Sequence, residues 1–307
     1  MYIFKGVVFV LIIILLFYAS FLLSYLLFSP ALLLSHTFGA IDYPSKRKIH
    51  SKPTARGGGF ALFTSFTVFL IVIPVSIWLK IPLALSITTI FLIGFFDDAI
   101  DLSPLTKLSG QLFALSIYHF MTESLGYELS TLQAILSTVW IVFITNATNL
   151  LDGLNGLSGG VCASEALCLT VISLFFRNDD ILICSLLLLG AILGFLPRNF
   201  PRAKIFMGDC GALFLGFTLG ALSSRLVIES GSVICLLAIL LVFRVPIYDT
   251  NLSIIRRLIK RKNPFKADKG HFHHLLLKHG FTEECASLAL ITASLFFGFV
   301  GIIISLI

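Results

Sequence analysis

Apolar residues fall along this chain in long blocks. They lie near residues 6–28, 60–79, 82–96, 106–121, 131–148, 157–176, 181–197, 211–225, 232–250 and 286–306. Most approach the ~17–25 residues that an α-helix needs to cross a bilayer. The third, fourth and eighth are short, with polar ends, which suits helices around a shared cavity better than helices surrounded by lipid. The pattern predicts an all-α, polytopic membrane bundle of about ten transmembrane helices, a single domain over residues 1–307. The first block exceeds the ~7–15-residue core of a signal peptide, so an uncleaved first helix is expected.

Composition removes the soluble alternatives. Hydrophobic residues make up 57% and charged residues 12% of the chain, whereas soluble domains carry about 25% charged residues. Disorder is excluded by the same balance. Six cysteines (Cys162, Cys168, Cys184, Cys210, Cys235 and Cys285) form no CxxC pair and no metal-ligand spacing, so they read as small apolar residues.

Ten spans place alternate loops on opposite sides. The set 29–59, 97–105, 149–156, 198–210 and 251–285 holds most of the 22 Lys and Arg. The positive-inside rule puts that set in the cytoplasm and both termini outside, in the inner (plasma) membrane. The rule gives acids little weight, yet Asp42, Asp97, Asp98, Asp101, Asp152, Asp209, Asp249 and Asp268 share this face. Ionisable groups at membrane depth are costly and mark sites.

Five segments carry candidate chemistry. In Asp97-Asp98-Ala99-Ile100-Asp101, a continuing helix would set Asp101 one turn from both other acids. Such crowding suits a divalent ion or phosphate chemistry with a carboxylate base. Lys107 follows, placed to neutralise the acids or hold a phosphate. Residues 146–160 read NATNLLDGLNGLSGG, with three Asn, Asp152 and four Gly where a plain turn needs fewer. Glycine lets a ligand approach the backbone, and Asn amides suit a base, a sugar or a metal oxygen site. Asp209 in Phe206-Met207-Gly208-Asp209-Cys210-Gly211 falls in a first helical turn, where anions are favoured. The stretch His271-Phe272-His273-His274 lacks zinc spacing and points to phosphate or ligand contact. The basic loop around His50, ending in Gly57-Gly58-Gly59, suits anionic ligands. Glu165, inside a span, has no assigned task.

Taken in order, DYPSKRKIHSKP with GGG, DDAID, NATNLLDGLNG, FMGDCG, PIYD and HFHH resemble the polyprenyl-phosphate N-acetylhexosamine-1-phosphate transferase family over roughly residues 40–280. The resemblance implies transfer of a sugar-1-phosphate from a UDP-N-acetylhexosamine to a polyprenyl phosphate such as undecaprenyl phosphate, with release of UMP. It implies Mg²⁺, with Mn²⁺ as a substitute. By motif, Asp209 and Asn149 would be metal ligands, with Asp152 beside them. Phe206 would stack on the uracil, near Asn155. Asp97 and Asp98 would handle the acceptor phosphate, with Asp97 the suggested base. His273 and His274 would contact donor phosphates, and His271, His50 and Lys107 join the substrate-binding set. The pattern favours the N-acetylglucosamine branch, with O-antigen and lipopolysaccharide synthesis as one context, over the pentapeptide transferase of peptidoglycan synthesis. The expected partners are the two substrates, the membrane and a second copy in a homodimer, not nucleic acid. A transporter or flippase is the competing class. It predicts polar residues at mid-depth and on both faces, whereas the motifs here gather on one.

Overall fold

A computed structural model describes residues 2–44, 52–259 and 270–307. His50 and Asp268 lie outside the described residues. The chain opens with α1 (Tyr2–Leu26) and α2 (Phe28–Phe38), then a short antiparallel ribbon, β1 (Ile41–Asp42) and β2 (Thr54–Ala55), in which Ile41 faces Ala55 and Asp42 faces Thr54. There follow α3 (Gly58–Val72), α4 (Ile77–Ile100), α5 (Pro104–Ser124), α6 (Thr131–Leu151), α7 (Leu157–Phe175), α8 (Asp179–Asn199) and α9 (Gly208–Ser230). The last elements are α10 (Val233–Val242), α11 (Arg244–Ile259), α12 (Phe272–Lys278) and α13 (Glu283–Ile304).

Local signals start several helices. Ser103 caps α5 by accepting from the Thr106 amide at 3.1 Å, with Pro104 at the first helical position. Ser130 and Gln133 form a reciprocal capping box on α6. Such caps stabilise a helix by about 1 kcal/mol each.

The expectation of about ten spans is only partly met. Among the described residues six helices are long and apolar enough to cross a membrane: α4, α6, α7, α8, α9 and α13. The bent pairs α1–α2 (43°) and α10–α11 (71°) raise the number to at most eight. The expected spans that do not qualify are α3, of 15 residues, and α5, of 21 residues but interrupted by Lys107, Gln111 and His119. The expected single span 232–250 is broken at Phe243.

The boundary expected between residues 79 and 82 is displaced. Ile73 is extended at ψ 150°, because a residue before proline avoids the helical region. Lys80 reads as a loop residue but lies in α4. Its Nζ donates to the carbonyls of Ile73 at 2.5 Å and Ile71 at 3.2 Å, so its charge closes the end of α3.

α9 is the central helix, buried along nearly its whole length, with α4, α6 and α3 packed against it. α7 is the next most buried and packs on α8 and α13. Close backbone approach sets these distances: a methyl group on Gly94 of α4 would lie 2.5 Å from the Cys210 Cα of α9. Small residues of this kind let helices meet where lipid offers no hydrophobic drive for packing. The result brings the C-termini of α4 and α6 and the N-termini of α5, α9 and α13 to one end of the bundle.

Candidate functional site

At that end, α9 begins without a cap from its own chain neighbours. Asp98, on the last turn of α4, supplies one. Its Oδ1 accepts from the Asp209 amide at 2.8 Å and its Oδ2 from the Cys210 amide at 2.9 Å. A carboxylate here satisfies two orphan donors and faces the positive helix terminus. Gly208 precedes it at φ +72°, where any Cβ would sit 2.0 Å from the Arg56 carbonyl, so only glycine fits the turn.

Asp97 points elsewhere. Its Oδ1 accepts from the Leu102 amide at 2.6 Å, and its Oδ2 lies 2.6 Å from Lys107 Nζ. The same ammonium lies 3.2 Å from Asp209 Oδ2. Two carboxylates from α4 and α9 therefore share one lysine from α5. Asp101 does not join them: α4 stops at Ile100, and Asp101 turns at φ 50° into solvent, 3.7 Å from Arg56. The continuing helix considered for these three acids is therefore not formed.

A pocket of about 340 Å³ opens beside this cluster. One wall is Asp98, Gly208, Asp209 and the pair Arg56–Asp42, held at 2.6 Å. The turn after α6, Asp152 to Asn155, also lines the pocket, together with Asn199, Phe206, His274 and Glu283. Desolvation pushes the Asp152 carboxyl up to about 7, and the neighbouring Asp98 charge adds to the shift while Arg56 opposes it.

The histidine segment is built by a second carboxylate cap. Asp249 of α11 accepts from the Phe272 amide at 2.6 Å, at the start of α12, and lies 2.7 Å from His271 Nδ1. His271 is thus held behind the pocket. His273 is buried against Gly153, where a methyl group would lie 2.6 Å from its Nε2. Burial and the adjacent His274 push the His273 imidazole down to about 4, so it is neutral at pH 7. Of the three, His274 alone lines the pocket.

The structure thus brings Asp98, Asp152, Asn155, Phe206, Asp209 and His274 to one cavity, with Asp97 and Lys107 directly behind Asp209. Asn149, on the last turn of α6, is half-buried and outside the pocket lining. Two lining residues were not singled out by sequence reasoning. Asn199 accepts from the Gly156 amide at 2.9 Å and donates to the Ile205 carbonyl at 2.9 Å, so it braces the Asn155 turn against the segment that carries Phe206. Its signal, a lone Asn between Pro197 and Pro201, is faint. Glu283 reads as an ordinary first-turn acid.

The glycosyl transferase family 4 profile matches residues 80–227, which hold the α4, α6 and α9 parts of the pocket. The chain belongs to this family, in its polyprenyl-phosphate N-acetylglucosamine-1-phosphate transferase branch. It is 33% identical to a probable undecaprenyl-phosphate N-acetylglucosaminyl 1-phosphate transferase of Bacillus subtilis, over 87% of this chain and 77% of the relative. A decaprenyl-phosphate N-acetylglucosaminephosphotransferase of Mycolicibacterium smegmatis is 34% identical, over 82% and 72%. An undecaprenyl-phosphate alpha-N-acetylglucosaminyl 1-phosphate transferase of Thermotoga maritima is 30% identical, over 85% and 81%.

Proposed function

We propose that this protein transfers N-acetylglucosamine-1-phosphate, or a related N-acetylhexosamine-1-phosphate, from its UDP-linked form to undecaprenyl phosphate. An oxygen of the lipid phosphate forms a bond to the donor's β-phosphorus. The bond from that phosphorus to the bridging oxygen breaks, and UMP leaves with the electron pair. The product, a polyprenyl-diphosphate sugar, opens the membrane stage of a cell-surface polysaccharide. The observation that carries the reading is the pairing of Asp97 and Asp209 on Lys107, beside a pocket lined by Phe206 and His274.

The donor set suits magnesium. Asp97 and Asp209 offer hard oxygens, and two carboxylates on one ammonium leave negative charge unbalanced. Among the described residues no group of three or more His, Cys, Asp or Glu is arranged for a metal. Mg²⁺ takes one or two carboxylates and completes its shell with water and phosphate oxygens. Asp209 and Asp97 would hold it, with Asn149 a further oxygen from α6, and Mn²⁺ would serve in its place. When bound it neutralises the repulsion between two polyanions.

The chain's own groups then position the reactants. Phosphoryl transfer depends mainly on alignment and charge stabilisation. Phe206 stacks on the uracil and Asn155 contacts its edge. His274 reaches the donor phosphates, with His273 and His271 supporting its helix. Asp98 orients Asp209 through the α9 cap. Asp97, held by Lys107 and the Leu102 amide, orients rather than deprotonates, because a phosphomonoester already carries about −1.5 to −2 charge at pH 7. The pocket faces the cytoplasm, where the basic loops lie, and both termini face outside.

The test is UMP release by the purified protein from UDP-N-acetylglucosamine and undecaprenyl phosphate with Mg²⁺; no UMP would defeat the proposal. Sidedness has its own probe. Cys285, the exposed cysteine among the described ones, sits on the first turn of α13 beside the pocket. A membrane-impermeant maleimide should label it in inverted vesicles and not in intact cells.

A further inference from the structure

Asp42, Asp98, Asp152, Asp209 and Glu283 are the carboxylates that line the pocket. Asp42 is paired with Arg56, Asp98 with the α9 amides and Asp209 with Lys107. Asp152 is half-buried, makes no hydrogen bond or ion pair among the described residues, and has its pKa raised by desolvation. Glu283 is also half-buried and makes no hydrogen bond or ion pair among the described residues, and it differs from Asp152 in coming from the first turn of α13 rather than from the turn after α6.

Its place along the pocket follows from a chain of contacts. Ser287, one turn further along α13 on the same face, donates to the Asn155 carbonyl at 3.1 Å. The next residue, Gly156, donates to Asn199, and Asn199 donates to the carbonyl of Ile205, the neighbour of Phe206. Glu283 therefore sits with the Asn155 turn, which Asn199 ties to the segment that carries Phe206. With the base on Phe206 and the phosphates toward Asp209, the part of a nucleotide in between is the ribose.

We propose that Glu283 determines nucleotide specificity by accepting hydrogen bonds from the ribose 2′- and 3′-hydroxyls of the donor. A carboxylate presents two acceptor oxygens and no donor, which matches a vicinal diol and is how acidic residues read ribose in dinucleotide sites. Hydrogen bonds to a charged acceptor are stronger than neutral ones. A site built to bind a hydroxyl also discriminates against the analogue that lacks it. The competing role is electrostatic, since Glu283 and Glu284 both lie in the first turn of α13, where acids favour the helix dipole.

The inference rests on the reaction proposed above, and the experiment separates the two. UMP release is measured for the wild type, Glu283→Gln, Glu283→Ala and Glu284→Gln, with UDP-N-acetylglucosamine and with its 2′-deoxyribose analogue. The wild type should prefer the ribose donor by about tenfold or more in kcat/KM. Glu283→Ala should reduce that preference to within about twofold, mainly through the ribose donor's KM, and Glu283→Gln should fall between. Glu284→Gln should keep it. Equal preference in the wild type and Glu283→Ala, or equal effects of the two glutamates, would overturn the assignment. Absence of turnover by the wild type with any UDP-sugar would instead defeat the reaction itself.

Discussion

Asp98 closes the N-terminus of a helix that begins more than a hundred residues later, its Oδ2 2.9 Å from the amide nitrogen of Cys210. One carboxylate thereby ties α4 to α9 and fixes the turn that carries Asp209. Loss of a cap costs about 0.5–2 kcal/mol. Asp98→Ala should lower the melting temperature by a few degrees and cut kcat/KM at least about tenfold, while Asp98→Asn, which keeps one acceptor oxygen, should lie between. Thermal unfolding in detergent, run beside the UMP assay, checks this. An alanine variant that melts like the wild type but has no turnover would mean that the carboxylate acts on substrate instead.

Asp209 shares Lys107 with Asp97. Asp209→Ala should reduce turnover about a hundredfold or more with the melting temperature nearly unchanged. Chelation by EDTA should abolish wild-type turnover and added Mg²⁺ should restore it. Lys107→Met removes an ammonium that competes for the same two carboxylates. The Mg²⁺ concentration for half-maximal rate should then fall even as kcat falls. A magnesium titration of this variant that overlays the wild type would remove the metal from these residues.

Phe206 is half-buried on the pocket wall. Base stacking on an aromatic ring contributes about 1–3 kcal/mol. Phe206→Ala should raise the donor KM about tenfold and leave the KM for the lipid acceptor within twofold, and Phe206→Trp should retain donor affinity. Equal losses for both substrates would exclude stacking.

The raised Asp152 pKa has a signed consequence for stability. An acid whose pKa rises from 3.8 to about 7 on folding binds more protons folded than unfolded across that window. Its contribution is full below 3.8 and is lost as pH rises through 7. His273, lowered from 6.5 to about 4, has the opposite slope between pH 4 and 6.5, so the wild-type curve alone mixes the two. The difference in melting temperature between wild type and Asp152→Asn isolates the first. It should move against the wild type between pH 5 and pH 8; a constant difference would mean that Asp152 does not titrate there.

Much of this site was legible in the chain because its signals are local. Apolar blocks marked the helices, and the aspartates, asparagines and histidines between them marked the ends that converge. What could not be read depends on contacts between distant segments. Lys80 looked like a loop residue because nothing nearby shows that it folds over the carbonyls of α3. Asp97 and Asp98 are adjacent and looked equivalent, yet one meets Lys107 and the other the α9 amides. Asn199 has no motif around it and gains its role from the Gly156 and Ile205 backbones that it joins. The bend between α10 and α11 falls within one apolar run, so hydropathy merged the two helices.

The Asp249 cap on α12 carries a consequence for biogenesis. His274 and Glu283 are translated after every other part of the pocket wall. A nascent chain that has threaded α9 into the bilayer already has Asp98 and Asp209 in place, but lacks the side that α12 and α13 complete. The pocket is therefore complete only once α12 and α13 have been made, and a chain released before α12 would embed as a bundle with its cavity open on one side.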